Sequence, residues 1–130
     1  MVRPAAQPLR ISCSEDEQAW IIAVSGELDL ATAPLLAGVF EKIMVREPSE
    51  SRPELLVVDL TELSLLSAAG LTVLYATHQL AAEVGLRLRL VTSGRSPAAR
   101  ALRISGLGSV LDLYQSLSAA AAGPPSVGNP

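Results

Sequence analysis

The segment of the chain best suited to chemistry spans residues 55–71 and reads LLVVDLTELSLLSAAGL. Its first six residues are apolar except for Asp59 and predict a buried strand, from which a short loop leads to Ser67-Ala68-Ala69-Gly70 at the start of an apolar helix. The N–H groups at the N-terminus of a helix attract anions and other hydrogen-bond acceptors. Because this turn contains only small residues, its backbone is open to an approaching molecule. The segment therefore predicts a docking point for a partner protein or a phosphate.

The other reactive side chains do not form a catalytic pattern. His78 is the only histidine, and no nucleophile motif of the form G-x-S-x-G accompanies it. Cys13 is the only cysteine, so the chain cannot form an intramolecular disulfide, and the ligand cluster of a structural zinc site is missing. Asp59 follows an apolar strand as the acceptor of a response-regulator receiver does, but a receiver also needs a lysine after a late strand, and Lys42, the only lysine, lies on the first predicted helix. The sequence therefore predicts no enzyme, no metal and no cofactor.

Length, composition and charge predict one domain with an aliphatic core. The 130 residues fit a single domain, and 49% of them are hydrophobic while 3% are aromatic. A net charge of −3 without a basic cluster argues against broad binding of nucleic acid or of an anionic membrane. No apolar run reaches the roughly 20 residues of a membrane helix, and the N-terminus lacks a basic-then-apolar signal pattern. We therefore expect a cytoplasmic protein.

Apolar patterns along the chain predict strands that alternate with helices. An acidic turn at 15–17 predicts a hairpin of the first two strands. The alternating LRLRLV pattern at 86–91 predicts a strand with Arg87 and Arg89 on a solvated face or at a sheet edge. Thr32, Ser67 and Ser96 are the expected helix N-caps. The predicted strands are 9–14, 19–25, 55–60, 86–91 and 110–113, the predicted helices are 33–45, 67–84, 97–105 and 116–122, and the predicted loops are 26–30 and 46–54.

This order of elements predicts the fold class and the extent of the domain. Alternating strands and helices after an initial hairpin give an α/β fold, with a mixed sheet of four or five strands and helices packed mainly on one face. We expect residues 9–122 to form the domain. Residues 1–8, with two prolines and little periodicity, predict a flexible arm, and residues 123–130 (GPPSVGNP) predict a disordered tail.

Two motifs in this chain resemble those of the STAS domain of bacterial anti-sigma factor antagonists. In that family a strand that ends in V-D-L leads to an Asp-Ser-Ser-Gly-Leu-type motif that opens a helix, and the corresponding residues 67–71 read S-A-A-G-L here. A second hallmark of the family, G-E-L-D, is present at residues 26–29. The resemblance extends over residues 9–118 and implies the mixed sheet of the STAS fold.

The resemblance also implies a partner. An anti-sigma factor is a kinase-like protein that holds a sigma factor inactive, and the antagonist binds it and frees the sigma factor for transcription. The loop with G-E-L-D would lie beside the S-A-A-G-L turn, and Asp29 would stabilise the first helix or contact the partner, two roles that are compatible. The implied binding surface consists of Glu27, Asp29, Thr32, Ser67, Ala68, Ala69, Gly70, Leu71 and Thr72.

The chain departs from the family motif at the position that carries the regulatory switch. Members that switch by phosphorylation have Ser or Thr where this chain has Ala68, which cannot accept a phosphate. Ser67 replaces the Asp of the motif and either caps the second helix or acts as a substitute phosphate acceptor; we favour the cap. We expect an antagonist without the usual phosphorylation switch. The alternatives are a degenerate STAS scaffold and a nucleotide-binding regulatory domain, although no glycine-rich phosphate loop is present; a homodimer is left open.

Overall fold

In the computed structural model, which describes residues 7–15, 19–45 and 53–122, five strands form one mixed sheet in the order β1-β2-β3-β4-β5. β1 and β2 form the expected antiparallel hairpin, and the pairs β2–β3, β3–β4 and β4–β5 are parallel. The strands are β1 (Arg10–Glu15), β2 (Ala19–Leu28), β3 (Leu55–Leu66), β4 (Arg87–Val91) and β5 (Leu113–Tyr114). The helices are α1 (Ala33–Met44), α2 (Ala68–Glu83), α3 (Pro97–Ser105) and α4 (Leu117–Ala121), with a 3-10 turn at Leu107–Ser109.

The main core lies between one face of the sheet and the helices α1, α2 and α3. Alternate residues of β2, among them Trp20, Ile22 and Val24, point into it, because side chains of a strand alternate between the two faces. Leu74 of α2 and Leu102 of α3 are fully buried against them. Burial of each such leucine contributes about 1.5–3 kcal/mol to the free energy of unfolding. The prediction that the helices pack mainly on one face of the sheet is therefore confirmed.

The short helix α4 covers part of the opposite face of the sheet. A smaller cluster there contains Ala120 of α4 together with Leu55, Val57 and Val91 of the central strands. This second layer explains why the strand at 55–60 is almost continuously apolar, since β3 is covered on both faces along that stretch.

Helix ends follow local chemistry that the sequence reveals. The hydroxyls of Ser67, Ser96 and Ser116 accept hydrogen bonds from the backbone N–H groups three residues later, at 3.4, 3.1 and 3.1 Å. Gly85 follows α2 with a φ of 81° and Gly106 follows α3 with a φ of 83°, a backbone conformation that favours glycine. The expected caps at Ser67 and Ser96 are confirmed.

Two predicted loops are strand instead. β2 continues through Gly26 to Leu28, and β3 continues through the polar stretch to Leu66, so the predicted loops at 26–30 and after residue 60 are wrong in large part. The register of β2 and β3 shifts twice along this extension, which marks two irregularities in the ladder. Near the first of them the Asp59 carboxylate accepts hydrogen bonds from the N–H of Thr61 at 3.0 Å and from its hydroxyl at 2.7 Å. Asp59 therefore stabilises an irregular segment inside β3, and the strand does not end there.

The expected solvated face of the fourth strand is also wrong. β4 lies between β3 and β5, and Arg89 is only 2% exposed, whereas Arg87 at the start of the strand is exposed. Helix α4 covers this face: a guanidinium N–H of Arg89 donates to the carbonyl oxygen of Ala120 at 2.8 Å. The guanidinium also lies 5.1 Å from the centre of the Tyr114 ring, and its Nε lies 3.6 Å from Oδ2 of Asp112. Arg89 thus connects α4 and β5 to the sheet.

The remaining boundaries differ by a few residues. The strand predicted at 110–113 is Leu113–Tyr114, because residues 107–109 form the 3-10 turn. Most of the predicted arm at 1–8, most of the loop at 46–54 and the whole tail at 123–130 lie outside the described residues. Among the helices in the part of the chain described here, none has the length and apolarity needed to cross a bilayer.

Candidate functional site

The two sequence motifs meet where β2 and β3 end. Glu27 pairs with Leu65 and Leu28 pairs with Leu66 in the parallel ladder. The backbone N–H of Ser67 then donates to the carbonyl oxygen of Leu28 at 2.9 Å. Parallel neighbours end at the same edge of a sheet. The ladder therefore places the G-E-L-D segment next to the S-A-A-G-L turn, as the pairing of the motifs predicted.

Asp29 organises the turn that leads into α1. Its Oδ1 accepts hydrogen bonds from the N–H groups of Ala31 and Thr32, both at 3.0 Å, and its carbonyl oxygen accepts from Ala33 N–H at 2.8 Å. The Thr32 N–H, followed by the Thr32 hydroxyl, lowers the pKa of the Asp29 carboxyl, because hydrogen bonds to a carboxylate favour its charged form. The structural role expected for Asp29 is present, and its half-exposed carboxylate also faces solvent.

Thr32 occupies the N-cap position of α1 without acting as its side-chain cap. Its hydroxyl accepts a hydrogen bond from Asp29 N–H at 2.9 Å and lies 2.8 Å from the Glu27 carbonyl oxygen, which serves as its acceptor. The expected side-chain cap is therefore wrong. Thr32 instead ties the turn back onto the end of β2, while Asp29 supplies the acceptor for the N–H groups of the turn.

Gly26 joins the first residues of the described chain to this edge. Its φ is 91°, and an added Cβ would lie 2.0 Å from the carbonyl oxygen of Pro8. The Glu27 N–H donates to Gln7 O at 3.2 Å, and the Ser64 hydroxyl donates to Gly26 O at 3.1 Å. Any side chain at this glycine of the G-E-L-D motif would therefore clash with the Pro8 backbone. The hydrogen bonds with Gln7 and Ser64 fix the backbone on either side of it.

The turn at residues 67–72 presents only part of its surface. Ala68 and Thr72 are exposed, whereas Ala69 and Leu71 are half-buried and pack against the main core. Gly70 is buried, and an added Cβ would lie 2.7 Å from Leu66 Cδ1 and 2.8 Å from Leu28 Cγ. The expectation that Gly70 contributes to an exposed surface is therefore wrong. Its small size serves the close approach of α2 to the ends of β2 and β3.

Two exposed leucines lie beside the motifs and were not among the site residues predicted from the sequence. Leu30 is 80% exposed and Leu65 is 41% exposed. Each lies two residues from a partner in the Leu28–Ser67 hydrogen bond, so both flank the meeting point of the motifs. The tandem pair Leu65-Leu66 contained a usable signal, because two successive strand residues cannot both point into the same core. We call the surface formed by Glu27, Asp29, Leu30, Leu65, Ala68 and Thr72 the motif face.

Residues elsewhere do not add reactive groups to the motif face. The His78 ring stacks on Tyr75 along α2, with 6.4 Å between the ring centres. Within residues 7–15, 19–45 and 53–122, His, Cys, Asp and Glu side chains do not gather in a group of three that could hold a metal ion. The motif face therefore combines two carboxylates, exposed apolar side chains and a small-residue turn, which suits contact with another protein surface.

Comparison with known proteins identifies the family. The model of the STAS domain matches residues 10–120, so the chain belongs to the STAS domain family. An anti-sigma factor antagonist from Mycobacterium paratuberculosis is 26% identical, with 87% of this chain and 91% of that one covered and a TM-score of 0.75. No curated protein matches the chain.

Two further structures share the fold. SpoIIAA, an anti-sigma factor antagonist in its unphosphorylated form, is 18% identical, with coverage of 86% and 92% and a TM-score of 0.63. The Bacillus cell fate determinant SpoIIAA in its phosphorylated form is 17% identical, with coverage of 86% and 96% and a TM-score of 0.60. At these identities the likeness shows the fold alone, and the mixed five-stranded α/β sheet is that of the SpoIIAA-like proteins.

Proposed function

We propose that this chain is an anti-sigma factor antagonist: a cytoplasmic, non-enzymatic binding protein that captures a kinase-like anti-sigma factor and thereby frees a sigma factor for transcription. Membership of the STAS family and the 26% identical antagonist from Mycobacterium paratuberculosis support this proposal. The partner would contact the motif face.

The observation that carries the proposal is the meeting of the two motifs around exposed leucines. Leu30 and Leu65 stay in solvent although the core beside them is filled by Leu28 and Leu66. Exposed apolar side chains bordered by polar ones are typical of protein interaction sites. Glu27 and Asp29 supply negative charge at the same edge, so the complementary surface would carry apolar side chains and positive charge.

The motif face would bind without a phosphorylation switch at Ala68. An alanine side chain has no oxygen that a kinase could modify, and Ala68 is the exposed first residue of α2. The adjacent Ser67 hydroxyl accepts the Gly70 N–H at 3.4 Å and serves as the helix cap. We therefore expect that binding of the anti-sigma factor is regulated by the abundance of this chain or by a third partner.

The test is a binding measurement with a matched pair of variants. A pull-down from the source cell identifies the anti-sigma factor, and calorimetry then measures its affinity for the wild type, L30E and I104E. Ile104, on α3, is 71% exposed, so I104E introduces the same charge at a similarly exposed leucine-sized residue away from the motif face. We expect L30E to weaken binding about tenfold or more, which corresponds to about 1.4 kcal/mol, while I104E leaves it unchanged.

Two results would count against the proposal. Equal affinities of L30E and the wild type would exclude the motif face as the binding surface. A pull-down that captures no anti-sigma factor would favour the degenerate STAS scaffold. Circular dichroism of both variants checks that the fold is retained. We expect that it is, because both side chains are exposed.

A further inference from the structure

A second site of interest lies at the carboxyl ends of β4 and β5. These strands are parallel neighbours, but the helices that follow them lie on opposite faces of the sheet. Helix α3 follows β4, and its Ala98 and Leu102 lie in the main core. Helix α4 follows β5, and its Ala120 lies in the cluster on the other face. In α/β sheets, connections that diverge in this way open a crevice at the strand ends, and ligands bind in such crevices.

The structure has a crevice at this place. Its volume is about 460 Å³, within the range of small-molecule sites. It is bounded by the residues that follow β4, by one side of α3 with the 3-10 turn, and by the end of β5. The lining residues that matter here are Thr92, Gly94, Arg103, Gly108, Ser109 and Gln115.

The charge of the crevice is positive although the chain as a whole is acidic. Arg103 is the one charged residue among the described residues that line it. Between Val91 and Asp112 the sequence contains three arginines and no aspartate or glutamate, in a chain of net charge −3. Arg103 makes no ion pair with any residue in the described part of the chain. Its guanidinium is therefore available to a carboxylate or phosphate, which it can bind through two parallel hydrogen bonds.

The rest of the lining suits an anion attached to an apolar group. Gly94 and Gly108 carry no side chain that would shield the backbone, and the Gln115 amide supplies a further donor. Leu113 supplies an apolar part of the lining, whereas the Tyr114 ring lies on the α4 side of the sheet beside Arg89. The Asp112 carboxylate accepts the Tyr114 hydroxyl at 3.3 Å, and its Oδ2 lies 3.6 Å from Nε of Arg89, so this carboxylate is engaged with Arg89 and Tyr114.

We infer that this crevice binds a small anionic metabolite whose phosphate or carboxylate contacts Arg103 and whose apolar part lies on Leu113. The crevice shares no residue with the motif face, so the inference holds whether or not the chain binds an anti-sigma factor. Arg103, Gln115 and the backbone at Gly94 and Gly108 would bind the anion, and Leu113 would contact the group attached to it.

The experiment is an NMR titration of the full chain with three probes: inorganic phosphate, adenosine monophosphate and benzoate. We expect chemical-shift changes at the amides of Gly94, Gly108 and Ser109, with a dissociation constant of about 1 mM or tighter for at least one organic probe. Stronger binding of adenosine monophosphate than of benzoate would assign the anion as a phosphate, and the reverse order would assign it as a carboxylate.

A pair of arginine variants makes the test specific. R103Q should weaken binding about tenfold or more, because hydrogen bonds to a charged group are lost. R100Q removes the same charge from an exposed position of the same helix outside the crevice and should leave the affinity within about twofold. Absence of shifts at the crevice amides with all three probes would overturn the inference, as would equal loss of affinity in R100Q and R103Q. Unchanged amide spectra far from α3 verify that both variants fold.

Discussion

The backbone N–H of Ser67 donates to the carbonyl oxygen of Leu28 at 2.9 Å, and this bond connects the end of β2 to the first residue after β3. The contact brings the N-terminus of α2 down onto the side chain of Leu28. Gly70 fits there because it has no side chain: its Cβ would lie 2.8 Å from Leu28 Cγ. Substitutions at this contact separate packing from partner binding.

We predict that Gly70→Val destabilises the fold by about 2 kcal/mol, since overpacking a filled core costs about 1–3 kcal/mol. The matched control is Gly38→Val on α1, where an added Cβ would meet no atom within 4 Å. That variant should change stability by no more than about 0.5 kcal/mol. Urea unfolding of the two variants measures both values. Equal stability would show that the Leu28 and Leu66 side chains move aside without cost.

The second prediction concerns the glycine of the G-E-L-D motif. Gly26→Ala should cost about 3 kcal/mol or more, because it adds a left-handed alanine and forces a contact with the Pro8 backbone. Gly85→Ala is the control, since Gly85 has a similar φ of 81° but open space around it. It should cost only about 1–2 kcal/mol. Thermal unfolding compares them, and a Gly85→Ala cost as large as that of Gly26→Ala would contradict the role given to Pro8.

The third prediction concerns the attachment of α4. Arg89→Met should destabilise the protein by about 1–3 kcal/mol, because the buried carbonyl of Ala120 loses its charged donor. Arg87→Met, at the exposed start of the same strand, should stay within about 0.5 kcal/mol of the wild type. Hydrogen exchange locates the effect: amides of α4 should lose protection in Arg89→Met before those of α2. Full protection of α4 in that variant would disprove the attachment.

The fourth prediction follows from the lowered pKa of Asp29. A carboxyl whose folded pKa lies below its unfolded value of about 3.9 stabilises the fold above that value, and this contribution disappears as the pH falls through the folded pKa. Asp29→Asn keeps an oxygen acceptor for the turn but has no titrating charge. The stability advantage of the wild type over Asp29→Asn should therefore be constant near neutrality and shrink below about pH 4. Unfolding curves at several pH values test this, and an advantage that grows towards low pH would reverse the sign argued here.

The fifth prediction depends on the proposed anti-sigma partner and its kinase activity. Wild-type protein incubated with that partner and ATP should carry no phosphate at residues 67–72. Ala68→Ser restores a hydroxyl at the exposed first residue of α2, where the helix N-terminus favours a negative charge, and should be phosphorylated. Mass spectrometry maps the site. Stoichiometric phosphate on Ser67 or Thr72 of the wild type would show that a substitute acceptor has taken over.

Much of the fold could be predicted because its signals are local. Ser67 and Ser96 cap helices by contacts three residues away, and glycines at 85 and 106 end helices by their own φ. The extensions of β2 and β3 could not be predicted, because Thr61, Glu62 and Ser64 form a polar pattern that is typical of a loop. These residues fit into the strand through two irregularities in the parallel ladder, which the pattern does not reveal. The burial of Arg89 was hidden for a similar reason: an alternating pattern does not reveal a short helix that covers the polar face.

The same contrast between local signals and long-range contacts applies to the candidate site. The proximity of the two motifs was predicted from their resemblance to a family, and the ladder of β2 and β3 places them together. The internal role of Gly70 and the exposure of Leu30 depend on how closely α2 approaches two strands, a distance that no local pattern encodes.

The ladder of β2 and β3 also sets an order of events during synthesis. The Ser64 hydroxyl and the Gly26 carbonyl that it contacts are 38 residues apart in the chain. At about 5–20 residues per second, a ribosome completes β3 seconds after β2 has been made. During that interval the nascent chain carries the G-E-L-D segment and α1 but lacks the neighbouring strand, so Leu28 has no Leu66 beside it. In a truncated chain that stops before residue 55, β2 would thus have β1 on one side only and would present its other edge unpaired, the kind of segment that chaperones bind.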